Sequence, residues 1–226
     1  MIIALIVAFF CYLIAQIIIN SSNKVGNPLK LPTGNILIFD TETNGLPLDW
    51  KGRLDDTNNW PRIVSIAWYK ISASGFILAN KYFTIKPDGF SITNDSTNIH
   101  GITNQAAQQS GVALKDVLEL FNSDIKDSKY LVAHNLEFDY AVTFCEYLRL
   151  KSNPTYFSSL DQICTMRRST DFCKIPSSKG YKYPKLSELY RKLFSESISG
   201  IHNAQIDAEA CMKCFKELYN QKIIKF

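Results

Sequence analysis

No charged side chain occurs before Lys24. Residues Ile2 to Ile19 are apolar except for Gln16, and as a helix at about 1.5 Å per residue this run reaches about 27 Å, close to the roughly 30 Å hydrocarbon core of a bilayer. No basic residue precedes the run, which ends Ile17-Ile18-Ile19-Asn20-Ser21-Ser22. Without a basic leader and a small-residue cleavage site, a cleavable secretory signal is the poorer reading. The expectation is a retained, single-pass transmembrane helix over 1–20. Lys24 and Lys30 follow it, and the positive-inside rule puts the domain after them on the cytoplasmic side. Cysteines are six and unpatterned: Cys11 lies in the apolar run, while Cys145, Cys164, Cys173, Cys211 and Cys214 have neither an even count nor zinc-ligand spacing. This excludes a disulfide framework and a structural zinc site, and leaves reduced packing residues in a reducing compartment. Internal repeats and low-complexity tracts are also missing, which excludes a solenoid and a disordered chain. The net charge of +4 is too small to imply a polyanionic partner by itself.

What is present is 46% hydrophobic residues in 226, ample for the core of one domain. Asn20 to Gly34 holds Asn27-Pro28 and Pro32-Thr33-Gly34, so 21–34 reads as a linker and 35–226 as the domain. Asn35 to Leu46 is a β-favouring apolar run that delivers Asp40 and Glu42 and then breaks at Asn44-Gly45. Strands over about 63–71 and 76–85 follow, and with the first they predict a meander. Helices are predicted over about 97–108 and 112–121, then a short strand at 130–133. A helix over about 136–150 follows, with Asn135 as its N-cap. A fifth strand is predicted within 156–164, a short helix at 185–194 and a last helix at about 203–219. Together these give an α/β fold with a mixed five-stranded sheet flanked by helices.

Side chains two apart on a strand share a face, so Asp40 and Glu42 stand side by side at the end of the first strand. Two adjacent carboxylates repel, and a hard divalent cation between them is one way to relieve it. A polar strand end is the other reading of the same residues. Asp139 falls in the first turn of its helix, where an acid also suits the helix dipole. Asp207, Cys211, Cys214 and Leu218 recur at helical spacing, so Asp207 heads a packed stripe, and a lone buried Asp is costly unless paired or metal-bound. His202 would lie about 140° round from Asp207 on a continuous helix; a place in the preceding loop lets it turn back. Four acids and a histidine in this setting suit a pair of divalent ions.

The segments Asp40-Thr-Glu-Thr-Asn-Gly-Leu46, His134-Asn-Leu-Glu-Phe-Asp139 and His202-Asn-Ala-Gln-Ile-Asp-Ala208 resemble the three motifs of the DEDDh 3′-to-5′ exonucleases. That group includes the proofreading epsilon subunit of bacterial DNA polymerase III and ribonuclease T. His100-Gly-Ile-Thr103 resembles a segment common between the first two motifs. The resemblance covers about 36–218 and implies a ribonuclease-H-like fold. It also implies hydrolysis of phosphodiester bonds at the 3′ end of single-stranded DNA or RNA, with release of nucleoside 5′-monophosphates, as in proofreading, repair or RNA trimming. By the same resemblance Asp40, Glu42, Asp139 and Asp207 hold two ions, Mg²⁺ or Mn²⁺, with Glu42 also on the attacking water and His202 taking its proton. Thr43 and Asn44 contact the terminal nucleotide.

His134 and His100 occupy no base position in the motifs and are assigned to structural hydrogen bonding. From Arg167 to Lys192, Arg167, Arg168, Lys174, Lys179, Lys182, Lys185, Arg191 and Lys192 interleave with Phe172, Tyr181 and Tyr183. That pattern suits phosphate contacts and base stacking, or simply a solvated face. Trp50 and Trp60 either stack on bases or pack at an edge. A non-catalytic, membrane-tethered nucleic-acid-binding module is the alternative function. Relatives are often homodimers, though nothing in the sequence marks an interface. The few residues after the last predicted helix do not include the long tail through which the polymerase III subunit binds its polymerase, which leaves polymerase association open.

Overall fold

The computed structural model of the chain describes residues 31–200 and 202–225. The expected transmembrane helix at 1–20 and nearly all of the expected linker lie outside them. Among the described residues no helix is long and apolar enough to cross a membrane.

The strands are β1 (Asn35–Thr43), β2 (Ile63–Ile71), β3 (Ile77–Thr84), β4 (Ser128–Ala133) and β5 (Asp161–Cys164). They form one mixed sheet in the order β3-β2-β1-β4-β5. The expected meander is present, with β1–β2 and β2–β3 antiparallel, while β4 and β5 add on in parallel. Alternation along β1 sends Leu37 and Phe39 into an apolar cluster with Val117 and Phe121 of α3 (Leu114–Ile125) and Val142 and Cys145 of α4 (Leu136–Arg149). Each such side chain, fully buried, contributes about 1.5–3 kcal/mol. On the other face α9 (Ala204–Asn220) packs across β1 and β2 with Cys211, Cys214, Phe215 and Leu218 buried. The five described cysteines are all free thiols.

Several boundaries differ from the sequence expectation. The helix expected over 97–108 is two, α1 (Asn94–His100) and α2 (Asn104–Ser110). Gly101, at φ 76°, caps the first by donating its N–H to Thr97 O, and the Thr103 hydroxyl accepts from Ala106 N–H to start the second. Only glycine adopts that φ without strain, so the chain must break there. The expected fifth strand begins later, because Asn153-Pro154 opens a one-turn helix, α5 (Thr155–Ser158), before β5. Asn135 stands at the expected cap of α4, but at φ 74° it makes no side-chain cap bond. Two one-turn helices, α6 (Thr165–Arg168) and α7 (Thr170–Cys173), were not expected in the basic stretch. Neither was a small hairpin, β6 (Pro176–Ser177) with β7 (Gly180–Tyr181). The hairpin leads into α8 (Leu186–Phe194).

The long segment between β1 and β2 is tied down by a buried ion cluster. Glu146 of α4 is fully buried; it accepts from Arg62 Nε at 2.9 Å and Ile63 N–H at 3.1 Å, and pairs with Arg149 Nη1 at 3.1 Å. Arg149 also donates to the carbonyls of Thr57 and Trp60. Glu146→Ala removes the carboxylate partner of two guanidiniums and an amide, and removing one partner of such a cluster costs about 3–5 kcal/mol. Urea denaturation of this variant is expected to show a loss in that range, against under about 0.5 kcal/mol for a surface change such as Glu119→Ala.

Candidate active site

β1 runs on past its neighbour. Its pairing with β4 ends at Ile38↔Val132, whereas its pairing with β2 continues to Thr43. The Thr41 amide therefore takes a side-chain acceptor: its N–H donates to Asp139 Oδ1 at 3.0 Å, and its hydroxyl to the same oxygen at 2.8 Å. Asp139, in the first turn of α4, is buried and fixed by that double bond. On the opposite face of β1, toward α9, stand Asp40 and Glu42. Asp207 sits in the first turn of α9, whose N-cap Asn203 accepts from Gln205 and Ile206 N–H. His202 lies just before that cap at φ 65°, and its backbone N–H donates to Asp207 Oδ2 at 2.8 Å. This is the turned-back position expected for it. Ligand atoms of Glu42, His202 and Asp207 all lie within 4.8 Å of one another.

Asp40, Asp139, His202 and Asp207 line a cavity of about 510 Å³. Its other walls include Thr41, Leu46, Trp50, His134, Phe138 and Lys185. Sequence reasoning missed Thr41, Leu46 and Phe138 as parts of the site. The signal for them was their place inside the first two motifs. Trp50 packs against Phe138 with ring centroids 5.7 Å apart and forms a wall of the cavity, while Trp60 is buried with its indole N–H on Arg53 O. The two tryptophans thus have different roles, and only Trp50 reaches the site. Trp50 also borders a second cavity of about 500 Å³, lined further by Trp60, Tyr140, Glu137 and Arg167.

The other expected residues are spread around this centre. Arg167 is exposed and ion-paired with Glu137; Arg168 is exposed and lines neither cavity. Thr43 donates its hydroxyl to Gly45 O at 2.7 Å. The Asn44 side chain accepts from Arg62 N–H at 2.8 Å and reaches Ser91 O, so it fastens the loop rather than facing the cavity. His134 bonds Pro184 O through Nε2 at 2.9 Å and Thr165 Oγ1 through Nδ1 at 3.0 Å. A carbonyl only accepts, so Nε2 carries the proton and the Thr165 hydroxyl donates to Nδ1. Burial holds His134 down at about 4, neutral and fully bonded, as a structural histidine should be. The buried His100 accepts Ile102 N–H at Nδ1.

Electrostatically the centre is unbalanced. Burial first, then the charges of Asp207 and Asp139, push Glu42 up to about 8. Burial pushes Asp139 to about 7 despite the two Thr41 bonds, which favour its ionised form. Asp40 is raised well above the ordinary range by burial and by Asp139, Asp207 and Glu42, and Asp207 is raised by burial. Among the described residues no Lys or Arg forms an ion pair with any of the four. Oxygen donors of one sign, with one imidazole and no paired Lys or Arg, are the donor set that hard divalent ions take, so these residues fit such ions.

A carboxyl whose pKa is raised by folding contributes stability fully below its unfolded value, near 4, and loses it as pH rises through its folded value. Metal-free protein is therefore expected to lose thermal stability between pH 5 and pH 8, the window set by about 7 for Asp139 and about 8 for Glu42. Mn²⁺ should restore more of the melting temperature at pH 8 than at pH 5.5. Differential scanning calorimetry of the chelated and Mn²⁺-supplemented protein checks both.

The exonuclease family model of the RNase T type matches residues 37–215. No curated protein matches the chain by sequence. Among solved structures, the fold matches E. coli exonuclease I in complex with a dT13 oligonucleotide, at TM-score 0.66 and 18% identity over 84% of this chain and 42% of that one. It also matches the zinc-bound complex of the E. coli enzyme with single-stranded DNA, at 0.67 and 18% over 84% and 41%. A complex of exonuclease I with SSB-Ct matches at 0.64 and 17% over 85% and 45%. The chain thus spans less than half the length of these structures, and at such identity they share its fold. Because the family model takes in every carboxylate of the site, from β1 to the head of α9, the chain belongs to the RNase T family of exonucleases, of the DEDDh 3′-to-5′ type.

Proposed function

We propose that the chain is a divalent-metal-dependent nuclease that removes nucleotides from the 3′ end of single-stranded nucleic acid as nucleoside 5′-monophosphates. The observation that carries this reading is the convergence of Asp40, Asp139, Asp207 and His202 around one cavity, with Glu42 within 4.8 Å of His202 and Asp207 and without a paired Lys or Arg. The four carboxylates would hold two ions, Mg²⁺ or Mn²⁺. When bound, such ions lower the pKa of water and stabilise charge developing on the phosphate. His202 takes the proton from the attacking water as the new O–P bond forms; the P–O3′ bond breaks, and solvent protonates the leaving 3′-oxygen. Asp207 holds the His202 backbone in place through the 2.8 Å bond. Lys185, the one Lys or Arg lining the cavity, meets a substrate phosphate. The exonuclease I complexes hold single-stranded DNA, which supports a single strand as substrate. The charge-free run from Ile2 to Ile19, followed by Lys24 and Lys30, supports a membrane anchor with the catalytic domain on the cytoplasmic side.

The test is incubation of the purified full-length chain with Mn²⁺ or Mg²⁺ and 5′-labelled single strands of DNA and RNA in parallel. A ladder shortening from the 3′ end is expected, and the faster strand names the substrate. Asp207→Ala should lower turnover by about 10²–10³-fold or more. His202→Asn should lower it by about 10²–10⁴-fold. Asn tolerates positive φ and keeps the backbone bond to Asp207, so this variant isolates the base. Binding without any shortening of either strand would assign the chain to the non-catalytic module instead.

A further inference from the structure

The end of the sheet opposite the carboxylates carries side chains that catalysis does not use. Phe76, Ile77 and Leu78 are consecutive apolar residues, 70%, 53% and 54% exposed. Phe76 immediately precedes β3, an edge strand whose first two residues are Ile77 and Leu78. Single exposed apolar residues are ordinary on a protein surface, but a contiguous triplet on a sheet edge is a surface waiting for a partner.

Register fixes where this triplet lies. Ile77 is opposite Ile71, and Ile71 is opposite Ile36 near the start of β1. Asp40 and Glu42 are therefore about 13–20 Å further along, at about 3.3 Å per residue. The chain arrives from its N-terminal side at the same end. Leu31, the first described residue, is buried; its N–H donates to Ala73 O at 2.8 Å, and its side chain borders Gly75. Residue 31 is thus held in the turn that leads to Phe76, and the sequence joined to it contains the uncharged run Ile2–Ile19 and Lys24 and Lys30. Two lysines stand at the same end, where the exposed Asp127 is already paired with Lys70: Lys216 Nζ donates to Gly75 O at 2.8 Å, and Lys129 stands against Gly34. Apolar side chains with lysines at their border, joined to an apolar run, match the chemistry of an anionic lipid surface.

We propose that Phe76, Ile77 and Leu78, with Lys129 and Lys216 at their rim, seat on the surface of an anionic bilayer, turning the carboxylate end into the surrounding water. This rests on the reading of residues 1–20 as a membrane anchor and adds the orientation of the domain. The orientation has a consequence for substrate. A nucleic acid is repelled by anionic lipid, but that field decays over about 8 Å at physiological salt, short of the 13–20 Å to the carboxylates.

The full-length chain, in a Cys11→Ser and Cys164→Ser background, is reconstituted into phosphatidylcholine–phosphatidylglycerol vesicles. A spin label is placed at Leu78→Cys or, separately, at Leu48→Cys on the catalytic end. Collisions with lipid-soluble oxygen and with a water-soluble nickel chelate are then measured. The label at 78 is expected to be shielded from the chelate by about threefold or more relative to the label at 48. Adding Phe76→Ser and Ile77→Thr should open it, while turnover on a free oligonucleotide is unchanged. Equal access at both positions in protein that floats with the vesicles overturns the seating and leaves the anchor intact. Failure to float overturns both. Spin–spin broadening at position 78 would mean that a second copy of the chain covers the triplet, and would likewise overturn the proposal.

Discussion

Four carboxylates gathered at the end of β1 and the heads of α4 and α9 repel one another, and among the described residues none is paired with a Lys or Arg. The folding free energy that places them there comes from elsewhere: the apolar faces of β1 and β2, the helices that cover them, and the ion cluster around Glu146. That conflict is left standing: burial raises all four carboxyls, and neighbouring carboxylates raise Asp40, Glu42 and Asp139 further. Such a conflict is a preorganised binding energy for cations.

The placement follows from a few local devices. β1 outlasts β4, which frees the Thr41 amide for Asp139. The first turns of α4 and α9 then supply one carboxylate each, from opposite faces of the sheet. His202 is held by its own backbone rather than by its ring, because its N–H is bound to Asp207. Its imidazole lines the cavity, with a ring nitrogen within 4.8 Å of ligand atoms of Glu42 and Asp207. The second ring at the site, His134, is spent on Pro184 and Thr165 and has nothing left to offer a reaction.

Much of this was legible in the sequence, for a physical reason. The carboxylates sit at positions where strand alternation and the helical repeat are strong, so spacing alone put Asp40 beside Glu42 and Asp207 at the head of a buried stripe. The three motifs then supplied the order. Thr41 was less visible, since a hydroxyl between two acids reads as ordinary, and its bond to Asp139 spans 98 residues. The anchoring of the segment after β1 has no local signal, because its clamp, Glu146, lies 84 residues away from Arg62. Asn44 was assigned to the terminal nucleotide by resemblance alone, and its bond from Arg62 N–H across that segment has no local signal in the sequence. The helix break at Gly101 was legible in Gly101-Ile102-Thr103, a stop signal followed by a start signal, but apolar periodicity masked it. Basic residues mislead most. Arg167 is taken up by Glu137 and Lys182 by Glu188, while Lys185, one of eight cations in that stretch, is the one that lines the catalytic cavity.

The central claim is that the carboxylate cluster is built for divalent cations. Calorimetric titration of the chelated protein with Mn²⁺ at pH 8, in wild type and in Asp40→Asn, tests it most directly. Saturable uptake of two ions per chain is expected in the wild type, with loss of at least one in the variant. Absence of saturable binding in the wild type, or identical isotherms for the two proteins, would contradict it.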